Sequence, residues 1–532
     1  MLNSLVIVVI SLVLFFWAYK VYARKLESLW EVNPSNSTPA HTKFDNVDYI
    51  PAKNWLVLFG HHFASISGAG PILGPIIAVM VWGWAPTVLW IILGTIFIGG
   101  VHDFGSLITS VRQGGSSIAD IAEAAISRRA KIVFSCFLLL SLILVIAVFA
   151  YFCANTFINK PEVVVPSLGL IPVAMLVGYL LYYLRINPIY ATLLGLVMMA
   201  GLIFLGNLFP LNASLGFWIF ILFIYSYIAS IIPVNILLQP RDYLSSYLLF
   251  FGVIAGYLGL IITRPVITMP AYITWKADEG YLWPALFVTV ACGAISGFHT
   301  LISSGTSSKQ LPNEYYAKRI GYGGMVAEAI VAILAVICVG ILFKSGENFT
   351  QILKDSSPIG LFGKGYGAIT QIFLGGFGVF IAITILNAFI LTTLDTATRI
   401  GRYITEELFK VKNRFLSTLL IIIPSVILAV SGKWNKIWPA FGASNQLVAA
   451  LAFLVITCWL LSRNKPVRYT LAPAALMLIT TIAALIMQIA RYFKHGDYLL
   501  LSISISLLLL ALFMMTDVIS VFKKVRLKWR RN

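Results

Sequence analysis

The chain has 532 residues, 59% of them hydrophobic and only 11% charged, with a mean hydropathy of +0.91. That balance excludes a soluble globular protein of this length and marks an all-α polytopic membrane protein. The net charge of +18 does not point to nucleic acid, because Lys and Arg gather in alternate loops, as the positive-inside rule places them beside anionic lipid.

Apolar runs set against charged punctuation predict about fifteen transmembrane helices. They fall near 2–23, 54–82, 86–110, 131–157, 167–184, 187–207, 213–233 and 243–263, then near 283–305, 320–343, 366–397, 415–431, 438–461, 467–489 and 496–521. The densest basic groups are Arg399-Arg402-Lys410-Lys412-Arg414 and the tail Lys523-Lys524-Arg526-Lys528-Arg530-Arg531. Placing both inside sets the N-terminus outside and the C-terminus inside. The first span reads as an anchor, because Lys20, Arg24 and Lys25 follow its apolar stretch instead of preceding it. Arg24 to Lys53 forms a cytoplasmic surface loop.

The second span contains Ser65-Ile66-Ser67-Gly68-Ala69-Gly70-Pro71 and then Gly74-Pro75. Gly and Pro weaken a helix and free backbone groups, which hydrocarbon cannot satisfy. An unbroken helix over Trp55 to Trp82 would be about 42 Å long at 1.5 Å per residue, against a hydrocarbon core of about 30 Å. A break is therefore expected here. The third span follows, and Ser117-x-x-Asp120 then caps a short helix along the inner surface. The ninth span repeats the interruption as Ile295-Ser296-Gly297-Phe298-His299, running into Ser304-Gly305-Thr306. An odd separation makes the two broken spans cross in opposite directions, as an inverted repeat requires. Trp82, Trp84, Trp283 and Trp438 fall at predicted outer boundaries. The five cysteines sit in apolar spans without metal-type spacing and read as packing residues.

Ionisable groups inside spans are costly to bury and mark functional sites. His61 and His62, His102 with Asp103, His299 and Glu328 all lie roughly 12–15 Å from the nearest cytoplasmic charge at 1.5 Å per residue. They are read as one polar layer suited to proton coupling; the simpler reading is interhelical hydrogen bonding. A metal centre is a third reading, although adjacent His61 and His62 diverge by about 100° on a helix. Asp395, one turn from Arg399, is a gating candidate or an interfacial ion pair. Asn387 and Asn445 are ligands or helix glue. Ser304-Gly305-Thr306-Ser307-Ser308-Lys309 lacks the order of a P-loop, so any transport is secondary.

At these residues the chain resembles the carbon-starvation protein A (CstA) family. The likeness runs through His61–Pro75, Gly99-Gly100-Val101-His102-Asp103-Phe104, Gln239-Pro240-Arg241-Asp242-Tyr243-Leu244 and Ala291–His299. It continues in Ser304-Gly305-Thr306, Ile320–Met325, Leu391–Arg399 and Asn445-Gln446-Leu447, with no family motif recognised beyond about 465. The resemblance implies a bacterial cytoplasmic-membrane transporter with a LeuT-like core of two inverted repeats. It also implies uptake of short peptides during carbon starvation or, in some members, of pyruvate coupled to protons; no cofactor is expected, and sodium is the alternative coupling ion that the sequence leaves open. The expected units are 1–53 (anchor and loop), 54–263 and 264–465 (the two core halves) and 466–532 (two peripheral helices and the basic tail). Ser67, Gly68, Ala69, Gly70, Pro71, Ser296, Gly297, His299 and Asn387 are the expected substrate contacts. His61, His62, His102, Asp103 and Glu328 are the expected coupling residues, and Asp395 and Arg399 the gate. Two other readings stand beside this one: a metal or haem redox protein built on the His61/His62/His102/His299 layer, and a nutrient sensor without transport. The sequence sets no oligomeric state.

Overall fold

Hydrocarbon offers the backbone no hydrogen-bond partner but itself, and the chain responds with helices throughout. The computed structural model describes residues 2–344, 346–355, 357–431 and 434–531. The helices are α1 (Ser4–Leu29), the pair α2 (Trp55–Ile66) and α3 (Gly70–Trp82), α4 (Trp84–Arg112), α5 (Ile118–Ala125), α6 (Arg128–Asn159), α7 (Pro161–Tyr182), α8 (Pro188–Leu208), α9 (Leu215–Ile231) and α10 (Leu238–Thr263). After a broken stretch containing α11 (Ala291–Ala294) and α12 (Gly297–Ile302) come α13 (Glu314–Gly340), α14 (Pro358–Leu374), α15 (Phe377–Phe409), α16 (Arg414–Val430), α17 (Trp434–Ser462), α18 (Arg468–His495) and α19 (Tyr498–Arg531). Among the described residues, eleven helices are long and apolar enough to cross a bilayer, or twelve with α2–α3 taken as one bent span. That makes the chain a multi-pass membrane protein, although length and composition alone support fewer crossings than the expected fifteen.

Three predicted boundaries move. The run 366–397 is two helices, because Gly375 at φ 52° turns the chain between α14 and α15. The continuous apolar sequence had hidden that turn. α15 continues to Phe409 and carries Arg399 and Arg402 into the bundle. α10 begins at Leu238 instead of 243, so Arg241 and Asp242 are helical and buried. The short helix α5 forms as expected, with Ser117 Oγ accepting from the Asp120 N–H at 3.2 Å.

The bundle sorts its ends by charge. At one end Leu2–Asn3 pairs antiparallel with Val266–Ile267, and the Ile273 N–H donates to the Trp82 carbonyl. That covering loop buries Trp82, and Trp438 is also buried, so neither is a lipid-facing belt residue; Trp283 stays exposed. At the other end Arg112 meets Glu314, Lys318 meets Glu27 and Arg399 meets Asp48. The side chains of the basic tail from Lys524 onward lie outside the described residues.

Candidate functional site

The two interruptions face each other. α2 stops at Ile66, and α3 starts again at Gly70 with a bend of 42° between them. Gly70 opens α3 without any side-chain cap, beside Pro71. In the ninth span Ile295 (φ −162°) and Ser296 (φ −134°) are extended between α11 and α12. A Cβ on Gly70 would lie 2.4 Å from Cys292 Cβ, and one on Gly74 2.4 Å from the Thr289 carbonyl oxygen. The absent side chains thus let α3 lie at backbone distance against the segment that carries Thr289 and Cys292. Asn445 of α17 holds the second break: its Oδ1 accepts from the Phe298 N–H at 2.8 Å, and its amide meets Ser296 Oγ at 3.0 Å. This caps α12 from another helix. Ser67, Gly68, Ala69, Gly70, Pro71, Ser296 and Gly297 are all buried around this junction.

One string of ionisable groups runs beside it. His102 Nδ1 is 2.8 Å from Asp103 Oδ1, and Asp103 Oδ2 is 2.7 Å from His299 Nδ1. His299 Nε2 lies 2.9 Å from Glu328 Oε2, near enough for an ion pair but off the line of a ring N–H hydrogen bond. All four side chains are fully buried. Both ends of the string are open, since His102 Nε2 and the two Glu328 oxygens have no hydrogen-bond partner. α4, α12 and α13 therefore meet as depth counting from the sequence expected. The groups are linked one to the next in a line. Among the described residues no three His, Cys, Asp or Glu side chains converge as a metal needs.

The adjacent histidines diverge as helical geometry requires. His62 Nδ1 meets Ser307 Oγ at 2.8 Å, beyond the end of α12. His61 turns the other way, with Nδ1 2.7 Å from Asp242 Oδ2 and Nε2 3.2 Å from Gln310 Nε2. Asp242 Oδ1 accepts from Arg241 Nη2 at 2.9 Å, and Arg241 reaches on to Asp395, which also accepts from the Tyr225 hydroxyl at 2.6 Å. The expected Asp395–Arg399 ion pair does not form. Arg399 instead meets Asp48 at 3.2 Å and the carbonyls of Ala229 and Ile232. Asn387 lies away from both breaks by its contacts, its Nδ2 donating to Ser167 Oγ at 2.8 Å.

Sequence reasoning singled out no role for Arg241, Asp242, Gln310 or Tyr225. An Arg-Asp pair beside a span edge reads as loop until the helix is known to start earlier.

Comparisons with known proteins agree with this architecture. The family model described as "Carbon starvation protein CstA" matches residues 3–361 and 347–484. The chain belongs to the CstA family. The match extends past 465, the limit of the motifs recognisable by eye. Among relatives, the pyruvate/proton symporter BtsT of Escherichia coli K12 is 30% identical, covering 91% of this chain and 81% of its own length. The peptide transporter CstA of the same strain is 31% identical over the same shares. That of Bacillus subtilis 168 is 29% identical over 90% of this chain and 89% of its own. Two solved structures share the fold. A mutant of the Eremococcus coleocola manganese transporter has a TM-score of 0.56 at 14% identity, covering 90% of this chain and 99% of its own. MhsT in complex with L-phenylalanine has a TM-score of 0.52 at 12% identity, covering 88% and 99%. The CstA-family chain thus has the architecture of LeuT-like transporters.

Proposed function

We propose that the chain is a secondary active transporter that imports short peptides or a small monocarboxylate such as pyruvate into bacteria short of carbon, driven by protons. It sits in the cytoplasmic membrane with its N-terminus outside and its C-terminus inside. The observation that carries this reading is the buried string His102–Asp103–His299–Glu328, which borders the second helix break and has an open acceptor at each end. Imidazoles alternating with carboxylates can hold and pass protons in hydrocarbon, where any lone charge is costly.

Peptides and pyruvate both carry a carboxylate. The start of α3 leaves the Gly70 N–H without a side-chain cap, while the Ile72 and Leu73 N–H groups meet the Ala69 carbonyl, and it presents the positive end of a helix dipole. Ser67 Oγ, buried without a partner, is a further donor toward that place. Substrate bound there touches α3, and its neighbour across the junction is the ninth span that carries His299. A proton arriving on Glu328 or His299 changes the charge beside the break and so favours one arrangement of α12 over another. The core halves 54–263 and 264–465 would then shift around a fixed site.

The BtsT relative is named as a proton symporter, which supports protons as the coupling ion. Purified protein in liposomes should accumulate labelled dipeptide or pyruvate when the outside is made acid, and should stop when a protonophore is added. Uptake of neither substrate class under an imposed gradient refutes the reading.

A further inference from the structure

The proposed relay does not use a second buried network, centred on His61. Its charges do not balance: Arg241 faces two carboxylates, Asp242 and Asp395, all three essentially without solvent exposure. Arg399 also faces Asp395 but is engaged by Asp48 at 3.2 Å, so among the groups in direct contact a neutral His61 leaves one negative charge uncompensated, which a low-dielectric interior strongly disfavours. One proton restores neutrality, and His61 Nδ1, 2.7 Å from Asp242 Oδ2, is the place to hold it.

The other side of the ring is built to tolerate both forms. As oriented, Gln310 Nε2 points at His61 Nε2, a donor facing an acceptor, which suits the neutral ring. Gln310 Oε1 accepts from Gln239 Nε2 at 2.6 Å, and Gln239 Oε1 accepts from the Tyr182 hydroxyl. Turning both amides by 180° presents Gln310 Oε1 to a protonated His61 Nε2–H, Gln310 Nε2 to Gln239 Oε1, and Gln239 Nε2 to the Tyr182 oxygen. Amide orientation is set by such networks, and every member here keeps a partner in either polarity.

We propose that His61, with Asp242 and the Gln310–Gln239–Tyr182 chain, is a second proton site, so that each transport cycle moves two protons. This rests on the transport reading above. His61 lies on α2, whereas its partners are Asp242 on α10 and Gln310 beyond α12, and Arg241 links Asp242 on to Asp395 of α15. Holding the proton fastens α2 to α10. Losing it to cytoplasmic water leaves a net negative cluster that must open, and recapture closes it again. The charged and titratable groups facing this site are Arg241 and Asp242 on α10, Tyr225 on α9, Asp395 and Arg399 on α15, and Tyr182 on α7. Lys309 adjoins Gln310, and His62 adjoins His61 on its own helix.

The test is the proton-to-substrate ratio in proteoliposomes, read as the reversal potential at fixed pH and substrate gradients. Two protons per substrate are expected for the native chain. Asp242→Asn, which removes the excess negative charge, is expected to give one proton per substrate while still driving accumulation. Gln310→Leu keeps every charge and leaves the protonated ring without an acceptor, so the pH midpoint of uptake should move acidic. A native ratio of one overturns the inference. So does an unchanged ratio in Asp242→Asn, or, if that variant does not fold, an unchanged pH profile in Gln310→Leu. Absence of any gradient-driven uptake by the native chain would instead refute the transport reading itself.

Discussion

Asp103 is the residue on which the relay turns, because its two oxygens serve two histidines from different parts of the chain. Asparagine in its place keeps the shape but removes the charge that both imidazoles share. Breaking a buried, charge-assisted pair costs about 3–5 kcal/mol, so Asp103→Asn should cut gradient-driven uptake by roughly 100-fold or more and lower the unfolding temperature in detergent. Glu328 ends the string with neither oxygen hydrogen-bonded and only the His299 ring, 2.9 Å from Oε2, as an ion-pair partner, so Glu328→Gln should perturb stability less than Asp103→Asn, which loses contacts to two rings. This variant should retain counterflow, the exchange of labelled for unlabelled substrate without net proton movement, while losing accumulation. Loss of both activities together would remove Glu328 from coupling and make it a binding residue. These residues are legible in the sequence, because an ionisable group in an apolar run stands out. Their partners are not. Nothing in the sequence says that Asp395 turns to Arg241 and Arg399 to Asp48, since residues 154 apart meet only through packing.

The helix breaks were legible for the same reason, as Gly and Pro interrupt apolar runs visibly. Their mutual contact was not. Gly70 and Cys292 are adjacent only because α3 lies against α11, and a methyl group there would fall 2.4 Å from the Cys292 side chain. Overpacking of this kind costs about 1–3 kcal/mol. Gly70→Ala should therefore reduce the yield of monodisperse protein on size exclusion, and Cys292→Gly in the same chain should restore part of it. An undiminished yield in Gly70→Ala alone would show that the two broken spans can separate freely.

A second contact between elements ties the loop before α2 to α15. Burial opposes the charge on Asp48, but Arg399, Lys309 and Arg402 with the Tyr403 hydroxyl hold its carboxyl below the ordinary value. A carboxylate with a lowered pKa adds stability at pH above its unfolded value and loses it as pH falls through the folded one. Asp48→Asn should accordingly lower the unfolding temperature at neutral pH, and the difference from the native chain should shrink only in that acid window.

At the scale of the whole molecule, charge separates the two ends of the bundle. The loop after α15 and the Arg112–Glu314 contact share one end; the Leu2–Asn3 pairing and the loop after α10 share the other. A membrane-impermeant thiol reagent should label Asp278→Cys from outside intact cells and Lys410→Cys only after the membrane is opened. Labelling of position 410 from outside would invert the topology and with it the direction of the proposed proton flow. Peripheral helices such as α8 and α19 carry many exposed apolar side chains among the described residues, as a chain whose solvent is hydrocarbon requires.

Hydropathy, the placement of Gly and Pro and the positions of ionisable residues suffice to identify a multi-pass helical membrane protein of one family, with two interrupted spans and a histidine–carboxylate layer. Composition, spacing and residue type are local properties, and each of these conclusions needs no more. Only the tertiary structure decided that α14 and α15 are separate helices, that α10 starts early enough to bury Arg241 and Asp242, and that the polar layer divides into two networks. Those outcomes depend on which helix faces which. In a bundle where every helix is apolar, close approach of small residues and pairing of buried charge make that choice, and neither can be read from one strand of sequence.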